Sequence, residues 1–259
     1  MWAVCKVSMT MLVLKDDRKN RILAILQTRE SARTCDIASE LGISRETVRR
    51  DLLDLHAEGL LQRIHGGATL NTQITEKPFQ VRMSRNRNEK LEIGRKAVDL
   101  LPPGAAIFLD AGSTTAAFAE VLRDRGSDIK VITNLQLAAQ ALGQKALLLG
   151  GRYSDEVPAT FGELTLANIR GFYVDYAVIS PTAIHLEHGL TYYKLDECEV
   201  ARAMVCRAKK TIVLADSSKF GVTSRVRLDD IGTAHVLVTN TGVAQGVLNR
   251  LRASIAEII

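Results

Sequence analysis

The chain has 259 residues, 46% of them hydrophobic, and a formal net charge of +5. That length suits two domains with sizeable cores and excludes a disordered or fibrous chain. The whole charge excess lies in residues 1–100, with 18 basic against 13 acidic side chains, while residues 101–259 carry 16 of each. A polyanion partner is therefore expected at the N-terminal end, with a neutral body behind it.

Residues 1–16 read as a leader of little order. Between positions 1 and 15 only Lys6 and Lys15 are charged, yet the segment is too short and too weakly apolar to span a membrane. It lacks the small-residue cleavage site of a secretory signal, and Met9 and Met11 are further candidate starts. A cytoplasmic protein is expected, and its cysteines, Cys5, Cys35, Cys198 and Cys206, are expected to be reduced because none are spaced C-x-x-C.

A helix is expected to begin near Asp17 and to carry Ile22, Leu23, Ile25 and Leu26, and a second to run from Thr34 to Leu41. Gly42, free to take positive φ, closes the second helix, and Ile43 tucks inward. Ser44 is an N-cap for a third helix over 44–58, in which Val48, Leu52 and Leu55 form an apolar stripe at i, i+4 and i+7. Glu46, Thr47 and Arg50 fall away from that stripe, with Arg49 on its flank. This is the pattern of a recognition helix that meets bases and phosphates in a major groove. Leu60 to Arg63 then leave as a β-hairpin wing ending in Gly66-Gly67. Arg49, Arg50 and Thr47 are the expected base or phosphate contacts, with Arg45 and His65 on phosphates. A three-helix core piece with a solvated charged face is the plainer alternative.

Residues 17–70 are thus a winged helix-turn-helix, and the polar stretch 71–90, interrupted by Pro78, is the expected linker. Its Arg82, Arg85, Arg87 and Lys90 serve either phosphate contacts or solvation. Residues 91–259 form the second domain. Buried strands are expected at 105–109, 129–132, 146–149, 176–179, 211–214 and 235–238, with helices near 114–123, 135–142, 196–208 and 243–253. Short apolar runs alternating with amphipathic helices predict a Rossmann-like parallel sheet covered on both faces, in which ligands settle at the carboxyl ends of strands.

One strand end carries Asp110-Ala111-Gly112-Ser113-Thr114-Thr115. Small residues, hydroxyls and amides at a helix start make an anion cradle, although the same run fits a plain helix cap. Three other strand ends add Thr133-Asn134, Gly150-Gly151-Arg152 and Asp216-Ser217-Ser218-Lys219. Lys219 offers a compact cation for a phosphate or sugar hydroxyl, or caps a surface loop. Of the histidines, only His185 and His188 lie close together, so neither a metal site nor a cofactor is expected.

With these residues in view, the chain resembles the DeoR family of bacterial transcriptional regulators. The matching pieces are the R-R-D-L of 49–52, the R-I-H-G-G-A of 63–68, Phe79 to Arg82 with Glu89-Lys90, D-A-G-S-T-T, V-I-T-N, L-G-G, and D-S-S-K-F-G ending at Gly221, across about residues 17–240. The resemblance implies a repressor whose sensor domain, related in fold to ribose-5-phosphate isomerase, binds a phosphorylated sugar or polyol and so releases double-stranded DNA. It marks Asp110, Gly112, Ser113, Thr114, Thr115, Asn134, Gly151 and Lys219 as effector-cleft positions. A homo-oligomer, dimer or tetramer, is expected through the sensor domain. The kinship raises an alternative, an active sugar-phosphate isomerase. Where the isomerases carry an acidic D-G-A-D-type turn, Ile179 here runs into Ser180-Pro181-Thr182-Ala183, which also departs from the family's G-x-x-G-I turn. No catalytic residue is therefore assigned, and Glu197 and Glu199 are expected to be solvated or to meet ligand hydroxyls.

Overall fold

The computed structural model describes residues 15–29, 31–57, 60–70, 76–125 and 128–259. Residues 1–14 of the leader, Met9 and Met11 among them, and residues 71–75 of the expected linker lie outside the described residues. The N-terminal unit runs α1 (Lys15–Arg29), β1 (Ser31–Arg33), α2 (Thr34–Leu41), α3 (Arg45–Ala57), β2 (Leu61–Ile64) and β3 (Gly67–Leu70). Its core gathers Ile22, Leu26, Ile37, Val48, Leu52, Leu55 and Leu61, each at most 2% exposed. Burying each such side chain contributes roughly 1.5 to 3 kcal/mol, which lets a small three-helix unit hold together. Gly42 closes α2 in the left-handed region at φ +66°. Gly66 and Gly67 sit in the hairpin rather than at its end. The short β1, which hydrophobic periodicity does not signal, pairs with β3 to make a three-stranded sheet.

Over 76–90 most of the expected linker is helical, in α4 (Phe79–Ser84) and the start of α5 (Arg87–Val98). Phe79 is 3% exposed and belongs to the core of the second unit. The stretch is therefore not a purely solvated connection. Lys90 is buried and Arg82 and Arg85 are partly buried, while Gln80, Ser84, Arg87 and Asn88 remain exposed to water.

The second unit continues β4 (Ala106–Leu109), α6 (Ser113–Arg125), β5 (Lys130–Thr133), α7 (Gln136–Leu142), β6 (Ala146–Leu148), β7 (Arg152–Ser154), β8 (Ala159–Phe161), α8 (Glu163–Arg170), β9 (Val174–Ile179), β10 (Ala183–His185), β11 (Gly189–Tyr192), α9 (Leu195–Val205), β12 (Ala208–Leu214), β13 (Val226–Asp229), β14 (Val236–Val238), α10 (Gln245–Leu251) and β15 (Glu257–Ile258). Seven strands form a parallel sheet in the order β15-β14-β12-β9-β4-β5-β6. Ile107, Phe108 and Leu109 on β4, and Val178 and Ile179 on β9, are fully buried, as strands covered on both faces must be. From β4 the chain builds outward through β5 and β6, and from β9 it builds the other way through β12, β14 and β15. The strand order reverses between β4 and β9. Loops leaving the carboxyl ends of two such strands diverge and open a crevice, where doubly wound sheets bind ligands.

Candidate functional site

Two surfaces carry the candidate chemistry. On the N-terminal unit, Ser44 accepts a hydrogen bond from the Thr47 amide at 3.0 Å, and its hydroxyl lies 2.8 Å from Thr47 Oγ1, so the start of α3 is capped. Asp51 does not face outward with its neighbours. It is 1% exposed and accepts from Arg18 Nη2 at 2.9 Å, which ties α3 to α1. The outward face of α3 presents Arg45, Glu46, Arg49 and Arg50. Glu46 bridges both arginines, taking Arg49 Nε at 2.9 Å and Arg50 Nε at 3.4 Å. Exposed pairs like these are weak and screened by solvent, so a phosphate or a guanine edge competes for the guanidinium groups. The turn between β2 and β3 carries exposed His65, held by the Thr34 amide donating to Gly66 O at 2.9 Å. Gly67 permits this closeness, since a Cβ there would lie 2.2 Å from the carbonyl oxygen of Ala32.

The second surface is the crevice between the ends of β4 and β9. Its walls are Ala111 to Thr114, Ser180 to Thr182, Tyr192, Glu197 and Lys219. It continues into a cavity lined by Arg82, Arg85, Lys90, Ser113, Asp216 and Lys219 among others. Asp110 is 1% exposed; Tyr192 donates to its Oδ2 at 2.7 Å and the Ala111 amide to its Oδ1 at 2.7 Å. Burial pushes its carboxyl up to about 6 against those two bonds. Glu197 is 5% exposed and its Oε1 has no hydrogen-bond partner among the described residues. Burial, then the neighbouring charge of Glu76, push its carboxyl up to about 8. Opposite these acids stand cations. Burial also depresses Lys219, opposed by Asp216, and it brings Lys90 down to about 8. Lys90 donates to the carbonyls of Arg82 and Arg85, the latter at 2.8 Å. Titratable groups of both signs with shifted pKa values, converging on a cavity at a sheet's switch point, are the physical mark of a ligand site.

Comparison with known proteins bears on both surfaces. Residues 18–74 match the model of a DeoR-like helix-turn-helix domain, and residues 85–241 match the DeoR C terminal sensor domain. The chain belongs to the DeoR family of transcriptional regulators. It is 32% identical to an uncharacterized HTH-type transcriptional regulator FruR of Bacillus subtilis (strain 168), over 88% of this chain and 92% of that one. It is 28% identical to the glycerol-3-phosphate regulon repressor of Escherichia coli (strain K12), over 86% and 90%. Among solved structures, a ribose 5-phosphate isomerase A from Methanocaldococcus jannaschii is similar at a TM-score of 0.38, with 21% identity over 52% of this chain and 55% of that chain.

Within this DeoR-family chain, Ser44 precedes α3, Arg45, Thr47, Arg49 and Arg50 lie in its first two turns, and His65 is in the turn of the wing. Gly112, Ser113, Thr114 and Lys219 come together at the crevice, whereas Asp110 is buried behind it and reaches it only through Tyr192, which donates to it. Thr115 is fully buried and donates to Gly112 O at 2.9 Å, closing the first turn of α6 rather than facing the cavity. Asn134 and Gly151 do not line the crevice. The Asn134 amide donates to Thr160 O at 3.0 Å, and its Oδ1 is left without a partner among the described residues. Gly151 allows a close approach, since a Cβ there would lie 2.0 Å from Thr165 Oγ1. Sequence reasoning missed Glu76 as a cleft residue and took Arg82, Arg85 and Lys90 for linker charges. Glu197 was expected to be solvated or to meet ligand hydroxyls; it is buried at the crevice wall, which removes the solvated reading. The available signal was the Phe79 to Arg82 and Glu89-Lys90 match, which already set that stretch apart from an ordinary linker.

Proposed function

We propose that this regulator is a cytoplasmic repressor of a carbohydrate-metabolism operon, released from its operator when a phosphorylated sugar or polyol enters the crevice. In this reading α3 enters the major groove, Thr47, Arg49 and Arg50 meet bases or phosphates, and Arg45 and His65 hold the backbone. The effector's phosphate sits on the amides and hydroxyls at the start of α6, with Lys219 beside it. The observation that carries this reading is the juxtaposition of that helix start with Lys219, Arg82 and Lys90 in one cavity. A relative named for a glycerol-3-phosphate regulon supports the ligand class. A homo-oligomer through the sensor unit would present two copies of α3 to a repeated operator, as helix-turn-helix dimers do.

A second reading, isomerase chemistry, draws on Glu197, a buried carboxyl raised toward neutrality beside the same cradle. The turn at 180–183 contributes no carboxylate to it, and we rank it second. One experiment separates the two. An operator selected from a random-sequence DNA pool is titrated in the presence of a panel of phosphorylated sugars and polyols, with isomerase turnover followed in the same samples. At least one compound should weaken operator binding without being converted, and Ser113→Asp should abolish that response by setting charge against charge. A Ser113→Asp protein that responds like the wild type sinks the cradle.

A further inference from the structure

The crevice assigned to the effector already holds an anion of the chain's own. Glu76 lies a few residues beyond the end of β3, on the way from the wing to α4, and its side chain is only 8% exposed. Its Oε1 is 2.8 Å from Arg82 Nη1 and accepts from Thr182 Oγ1 at 3.4 Å. The same cavity contains Ser113 and Thr114 at the start of α6, together with Lys219. Glu76 helps keep Lys219 charged, second among the carboxylates after Asp216. It also crowds Glu197, whose buried Oε1 finds no partner among the described residues. A cavity built of cations and helix amides, filled by one tethered carboxylate and overlooked by one unsatisfied acid, is poised for exchange. A free dianion would satisfy the cations better than a single carboxylate does.

We propose that Glu76 is a tethered stand-in for the effector's phosphate: in the free protein it occupies Arg82 and the crevice, and a bound phosphate displaces it and loosens residues 76–82. This rests on the reading of the crevice as a phosphate site. The consequence is a direct mechanical link, because the group that the ligand ejects belongs to the strap between the two units. An internal competitor also lowers the apparent affinity for ligand by the fraction of time it is out of the way.

Inorganic phosphate, titrated calorimetrically into the full-length protein, is the probe. Glu76→Gln, which keeps the shape and removes the charge, should bind phosphate about tenfold tighter than the wild type. In the wild type, saturating phosphate should speed amide hydrogen exchange across residues 76–82. Equal affinity in the two proteins, or slower exchange at 76–82, overturns the displacement and leaves the phosphate site standing. Phosphate that binds neither protein, or binds Ser113→Asp as tightly as the wild type, removes the site itself and the inference with it. The exchange measurement uses wild-type protein alone, so it tests the displacement even where Glu76→Gln fails to fold.

Discussion

Glu197 shows how much a single side chain reports about its surroundings. A carboxyl of this kind in water ionises near 4.5; here burial and a second carboxylate raise it to about 8. Because the folded-state value lies above the unfolded one, the protonated acid stabilises the fold fully below about pH 4.5. That contribution is lost as pH rises toward about 8. Glu197→Gln keeps the group neutral throughout, so relative to the wild type it should melt higher at about pH 9 than at about pH 5, in ligand-free protein. A difference in melting temperature that does not change with pH would mean that Glu197 is ionised and solvated in the folded state. The residue's place on the chain, three positions into α9, predicts an ordinary first-turn acid. Only the fold of the sheet and the strap around it turns that acid inward. Asp51 makes the same point in the N-terminal unit, since it sits among three arginines in sequence yet turns away to Arg18.

At the scale of elements, helices α2 and α3 and the wing were legible because cap, turn and stripe are local signals. Ser44, Gly42 and the Val48-Leu52-Leu55 stripe each act within one or two turns of chain. The buried strands β4, β5, β9, β12 and β14 were legible too, as short continuous apolar runs between helices. What was not legible was β1, three residues long and paired to β3 across more than thirty positions. Gly67 is the hinge of that pairing. Gly67→Ala would drive a methyl into the Ala32 carbonyl, so it should destabilise the winged unit by about 1 to 3 kcal/mol, the cost of overpacking, and weaken operator binding with it. Circular dichroism melting of the full chain checks this. An unchanged melting profile together with full operator affinity would show that the wing does not depend on β1. The helical strap α4–α5 was missed for a related reason: its apolar anchor, Phe79, is one residue among many charges, and the burial of Lys90 depends on partners outside its own helix.

At the scale of the whole molecule, the helix-turn-helix unit and the sensor unit are joined by a strap whose Glu76, Arg82, Arg85 and Lys90 line the proposed effector cavity. Leu60, at the base of the wing hairpin, lines the same cavity as Ser113 and Lys219. Binding in that cavity is therefore expected to act on both units. An effector at about one hundred times its dissociation constant should stabilise the protein by about 2.7 kcal/mol. By linkage, operator DNA should weaken effector binding by the same factor by which effector weakens operator binding. Calorimetric titration of the effector with and without saturating operator measures that factor. Effector affinity indifferent to operator would show that the two units do not communicate.

The amino-acid sequence by itself determined the family, the helix-turn-helix with its wing, the parallel-sheet class and the small-residue turn at Gly112 that opens α6. All of these depend on neighbours in the chain, on helix caps, turn glycines and the period of apolar residues. Tertiary structure alone decided which residues share the crevice. It brought Glu76, Arg82 and Lys90 to Ser113, Glu197 and Lys219, and it left Asn134 and Gly151 to local structure. The physical reason is that a switch-point crevice is assembled by strand order, and strand order is set by packing between segments that no local pattern connects.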